Sequence, residues 1–181
     1  MKIVEWLLGS AGSAEAGSAG AGSAEGAAGA TGAGPSVRVA AAVAGAALAG
    51  IGALHAVWAF SPWPLGSREE FAAVVVGVEE SQLPSAPLTL AVTGLLGAAA
   101  WLVVTGARPE RPLGSSRLVR SGMWTVAGVM AVRGLGGLAA SGLALGEVPS
   151  EFRHWDLALY SPLCVALGGL TGYVAARTRR S

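Results

Sequence analysis

The sequence predicts an all-α fold: a four-span transmembrane helical bundle behind a disordered Gly/Ala/Ser-rich amino-terminal tail. Three observations carry that prediction. Of 181 residues, 52% are hydrophobic and only 13% are charged, against about 25% charged in an ordinary soluble domain. The mean hydropathy is +0.57, so much of the surface is not built for water. The apolar residues gather into four runs near the roughly 20 residues that cross a bilayer core, and Gly and Ala dominate them, as suits helices that approach closely in lipid.

Residues 1–8 carry Lys2, Glu5 and a short apolar run, Trp6-Leu7-Leu8. That run is shorter than the roughly 7–15 residues of a signal-peptide core. The tract that follows repeats loosely, with Gly22-Ser23-Ala24-Glu25 echoing Gly12-Ser13-Ala14-Glu15. It has almost nothing to bury, so residues 1–36 are expected to be a disordered low-complexity tail. Residues 37–181 then form the membrane domain.

The first span is expected over residues 37–60, stopped by Ser61-Pro62-Trp63-Pro64. A polar loop follows, with Glu69, Glu70, Glu79 and Glu80. Inside it, residues 71–78 are apolar but too short to span, which predicts a partly buried loop helix or strand. The second span covers residues 87–106 and the third residues 121–145, with Arg133 deep inside. The fourth covers residues 156–176. It has an alternative start at Ser150, with Glu151 in the first turn, in which case Pro162 would kink it.

Arginine placement gives an orientation. Lys2, Arg38, Arg108, Arg111, Arg117, Arg120, Arg177, Arg179 and Arg180 fall on one side of a four-span chain. Arg68 and Arg153 fall on the other with most of the acids. Because Lys and Arg stay in the cytoplasm, the chain is expected in the cell membrane as a multi-pass protein with both termini cytoplasmic. Trp58, Trp63, Trp101, Trp124 and Trp155 stand near span ends, as in an aromatic belt.

The net charge of +1 and the lack of a basic stripe argue against nucleic-acid binding. A single cysteine, Cys164, closes no intrachain disulfide, and no Cys/His set has zinc spacing. Nothing in the sequence asks for a metal or cofactor. Gly134-Leu135-Gly136-Gly137 lies mid-span with no strand before it, so it is no phosphate loop.

Ionisable groups within a span are costly and ordinarily face the bundle with a partner. His55, Arg133, Asp156 and Tyr160 all fall toward the outer side. Asp156, Tyr160 and Cys164 are spaced four apart and share one helix face. Arg133 lies too deep to reach water easily and wants an acceptor, for which Asp156 is the natural carboxylate. His55, Trp58, Arg133, Asp156 and Tyr160 are therefore the candidate ligand-binding residues. The plainer alternatives are an Arg–Asp pair that only sets helix register, a His55 satisfied by a carbonyl, and a Cys164 that merely packs.

At Leu54-His55-Ala56-Val57-Trp58-Ala59 with Trp63, at Arg133-Gly134-Leu135-Gly136, and at Phe152, Asp156 and Tyr160-Ser161-Pro162-Leu163-Cys164, the chain resembles the bacterial membrane family called domain of unknown function 3995. The resemblance runs over about residues 37–173. It implies a four-span membrane protein of unassigned activity. Where the resemblance leads one to expect an Asp after the Arg-to-Gly motif, this chain has Gly137.

Three functions follow as expectations. The first is an integral membrane protein binding a lipid or small amphiphile in an outward-facing pocket within the bundle. The second is a membrane enzyme with His55 as general acid/base. The third is an accessory subunit of a membrane complex, its small-residue faces packing on another membrane protein or on a second copy of the chain.

Overall fold

The computed structural model describes residues 33–108 and 116–178. Of the tail expected over residues 1–36, residues 1–32 lie outside the described residues, as do the middle of the arginine linker and residues 179–181, while Pro35 and Ser36 already belong to the first helix. Among the described residues every regular element is helical.

Helix α1, Pro35–Trp58, starts on a proline whose missing N–H costs nothing in the first turn. The expected start at residue 37 is two residues late. A four-residue helix, α2 (Arg68–Phe71), opens the loop. Ser67 caps it by accepting from the Glu70 N–H at 3.1 Å, and Glu70 Oε2 accepts from the Gly66 N–H at 3.0 Å, a reciprocal arrangement akin to a capping box. The chain continues into a π-helical turn, Ala72–Val76, which ends at Gly77 with φ 79°. The apolar loop segment is thus helical, with Phe71 and Ala72 buried.

Helix α3 spans Ala86–Gly106. Helix α4 spans Arg117–Gly142, starting four residues before the expected position because Ser116 caps it, accepting from the Val119 N–H at 3.1 Å. It ends three residues early. Ala144 turns left-handed at φ 53°, and the Leu145 N–H reaches back to the Ala140 carbonyl at 2.8 Å, the wide bond of a Schellman motif.

The fourth span is longer than the apolar run. Helix α5 (Ser150–Trp155), a second π-turn (Asp156–Tyr160) and helix α6 (Ser161–Arg177) form one continuous helical segment of 28 residues. The start at residue 156 is therefore corrected to Ser150. In the π-turn the Ser161 N–H bonds the Asp156 carbonyl five residues back. Pro162 follows at once, and it has no N–H to offer the Ala158 carbonyl that an α-helix would pair with it. The widened turn stands where a proline would otherwise break the ladder.

Four helical segments are long and apolar enough to cross a membrane, as a multi-pass membrane protein requires. Helix α1 packs on α3 and α6, and α4 packs on α6 and α3. Small and large apolar side chains interlock at the centre: Ala40, Ala44 and Leu48 of α1, Ala100 and Val103 of α3, Met123 of α4, and Val174 of α6. Outward faces carry Val39, Leu95, Leu118 and Val132, all well exposed, which suits lipid and not water.

Candidate functional site

Asp156 is the polar centre of the span region. Its side chain is 1% exposed, and three groups surround its carboxylate. Arg133 Nη2 donates to Oδ1 at 3.0 Å, the Ser161 hydroxyl donates to Oδ1 at 2.9 Å, and the Ser141 hydroxyl donates to Oδ2 at 2.6 Å. Arg133 Nη1 also donates to Ser161 Oγ at 3.3 Å. A carboxylate removed from water needs such a shell, because an unpaired buried charge is far more costly than a paired one.

The π-turn makes this shell. On an α-helix, residues five apart point about 140° away from each other. Ser161 stands five after Asp156 and still reaches it, because the wider turn brings the fifth residue back beneath the first. Gly137 leaves the space on the facing helix. A Cβ there would collide with Ser161 Oγ and Arg133 Nη1 and lie 3.0 Å from Asp156 Oδ2. The glycine that replaces an expected Asp is therefore what lets the cluster close. Gly134, one turn earlier, brings the backbones together: its Cβ would sit 2.7 Å from the Val165 nitrogen and 2.8 Å from the Ser161 carbonyl. Gly136 meets nothing within 4 Å and has no such role.

Beside this cluster lies a cavity of about 870 Å³. Its wall draws on all four spans and on the loop carrying α2. Of the five sequence-predicted residues, His55, Trp58, Arg133 and Tyr160 line it. Asp156 does not; it faces a smaller pocket of about 310 Å³, which Arg133 also lines. Ile51, Leu96, Met130 and Leu167 close the deep end. Phe71, Val75 and Val76 bring the loop helix onto the cavity, and both π-turns contribute to its wall.

His55 and Trp58 belong to an aromatic row. His55 lies 5.1 Å from Trp58, and Trp58 lies 5.4 Å from Phe71. The His55 Nδ1–H donates to the Ile51 carbonyl at 2.8 Å, which commits that nitrogen to its own helix. Trp58 Nε1 donates to the Trp63 carbonyl at 2.9 Å. The Tyr160 hydroxyl turns away from Asp156 and toward the Val74 carbonyl, at 3.4 Å. The expected face of Asp156, Tyr160 and Cys164 is thus divided: Tyr160 and Cys164 look into the cavity, while Asp156 looks across to α4. Among the described residues no cluster of His, Cys, Asp and Glu could hold a metal ion.

Three residues of the site give little signal in sequence. Ser141 and Ser161 are short polar residues in apolar runs, where serine is ordinary, and α-helical spacing points Ser161 off the Asp156 face. In sequence Arg68 is one charge of a polar loop, yet it lines the cavity and pairs with Glu80 at 3.5 Å.

No curated protein and no solved structure matches the chain. The family profile described as "Protein of unknown function (DUF3995)" matches residues 48–171, a stretch that begins at Leu48 in the core of α1, ends at Thr171 in α6, and takes in every residue of the Arg133–Asp156 cluster and all four cavity-lining candidates. The chain belongs to that family.

Proposed function

We propose that this integral membrane protein binds a lipid or small amphiphile in the cavity beside Arg133, on the outer side of the membrane, with both termini in the cytoplasm. The arginine distribution supports the orientation: Arg108, Arg117, Arg120 and Arg177 stand at the end of the helices opposite the cavity, and Lys and Arg are retained inside. The volume falls within the roughly 300–1,000 Å³ of ordinary ligand pockets, and the wall is mainly apolar with a few polar groups, as such pockets are.

The observation that carries the reading is the state of Arg133. Its guanidinium has five N–H donors. Two go to Asp156 and Ser161, and the side chain, 45% exposed, lines both this cavity and the smaller pocket beside it. An arginine so held, with donors left over in an apolar cavity, is arranged to receive a polar group. An enzyme using His55 as acid/base draws less support. Its Nδ1 is taken by a backbone carbonyl, and among the described residues no carboxylate bonds the ring to orient it.

Native mass spectrometry of the purified full-length chain tests the reading. The wild type is expected to carry an amphiphile adduct. Ala59→Trp, which puts an indole into the cavity from the end of α1, is expected to weaken it, and Arg133→Ala is expected to lose it in protein that remains folded. An adduct that persists unchanged in both variants would overturn the assignment.

A further inference from the structure

The charge on the cavity wall has one sign. Among the described residues Arg68 and Arg133 line it, and no Asp or Glu does. Yet each arginine has an acid: Glu80 lies 3.5 Å from Arg68 and Asp156 lies 3.0 Å from Arg133. Neither acid belongs to the cavity wall. In both pairs the arginine belongs to the wall and the carboxylate does not, although Arg133 also borders the smaller pocket that Asp156 faces. A cationic or zwitterionic head would meet a guanidinium first, in a region of low dielectric where that repulsion is poorly screened. An oxyanion would meet planar donor forks suited to carboxylate or phosphate.

The other polar groups on the wall do not offset this. The Thr89 hydroxyl donates to the Ser85 carbonyl at 3.2 Å, and Trp58 and Tyr160 direct their donors to backbone carbonyls. His55 keeps one nitrogen, with no charge of opposite sign beside it. The first turn of α3, where Ser85 and Ala86 line the cavity, has no side-chain cap and adds a field of the same sign as the arginines. The arginines decide the matter. They stand on two different elements, Arg68 on the loop helix and Arg133 on the third span, so the bias extends over the cavity and is not confined to one spot.

We infer that the occupant is an anionic amphiphile: an alkyl chain carrying a carboxylate or phosphate head, with that head at Arg133 beneath the loop that carries Arg68. This rests on the amphiphile reading and adds the sign and chemistry of the head. A free fatty acid and an acidic phospholipid share that chemistry.

The test is native mass spectrometry of the full-length chain in non-ionic detergent, titrated separately with oleate, dioleoyl phosphatidic acid, oleyl alcohol and oleylamine. Oleate or phosphatidic acid is expected to bind at least tenfold more tightly than the alcohol, and the amine most weakly. The stronger of the two anions identifies the source, fatty acid or phospholipid. The double variant R133Q/D156N exchanges both charged partners for amides, so no unpaired charge is left buried, and it is expected to reduce the preference for the anion to threefold or less. R68Q, at an exposed position, is expected to reduce it about twofold. Equal binding of oleate and oleyl alcohol by the wild type would overturn the anionic assignment while leaving the amphiphile reading in place. Binding of none of the four would overturn both.

Discussion

The α1–α3 contact and the α4–α6 contact solve one packing problem in two ways. Between α1 and α3 the meeting residues are apolar: Gly45 against Val104, and Gly52 against Leu96. Between α4 and α6 the backbones also approach closely, at Gly134 and Gly168, but a buried carboxylate with three partners is set into the contact. In lipid there is little hydrophobic gain from joining apolar helices, so close packing and hydrogen bonds hold them. The first contact uses packing alone and tolerates small shifts. The second adds bonds that are satisfied at a single register. The cavity lies beside the second, where an arginine must be held in one position.

The largest effect should come from closing the space the cluster needs. Gly137→Val places carbon where Ser161 Oγ and Arg133 Nη1 now lie, and it is expected to leave no monodisperse folded protein by size exclusion in detergent. Next comes Asp156→Ala, expected to cost about 3 kcal/mol, near the low end for breaking a buried pair, since Arg133 is partly open to its surroundings. Thermal unfolding followed by tryptophan fluorescence measures it, and the R133Q/D156N double variant should recover most of the loss. Ser141→Ala removes one bond to a charged acceptor at 2.6 Å and is expected to cost about 1.5–3 kcal/mol. Gly52→Ala on the other contact should be the mildest, within about 1 kcal/mol of wild type. Its new Cβ would lie 3.3 Å from Leu96 Cβ, and the better helix propensity of Ala, worth about 1 kcal/mol, offsets that crowding. If Gly52→Ala proves as costly as Asp156→Ala, the contrast between the two contacts is wrong.

Much of the fold was legible because hydropathy over some twenty residues is a strong signal. Four spans were expected and four helical segments of sufficient length are present. The errors fall at their ends, where other forces decide. Ser116 and the left-handed Ala144 set the limits of α4, and neither is visible in apolar run length. Residues 150–155 are too polar to count as apolar run, so the last helix is read first from residue 156 with Ser150 as the alternative start, and Ser150 is where it begins. The site was half legible. Arg133 and Asp156 are conspicuous because charge is rare in such segments. Their companions are not: Ser161 reaches Asp156 only through a π-turn, and no spacing rule for an α-helix anticipates it. Tyr160 illustrates the converse. It has the right spacing to join Asp156, but the same turn sends its hydroxyl to the loop. Gly137, apparent in sequence only as a missing acid, acquires a reason once the neighbouring side chains are seen.

The last helix has a consequence of its own. Twenty-eight residues rise about 42 Å, while a hydrocarbon core is about 30 Å thick. Some two turns therefore stand clear of the acyl chains as a rigid post. Phe152, on that post, lies against Gly77 so closely that a Cβ there would be 2.7 Å from the ring. The loop is thus fastened to the last helix, and its height above the chamber is set by helix length. A thicker or thinner bilayer would tilt the whole assembly before it loosened that roof.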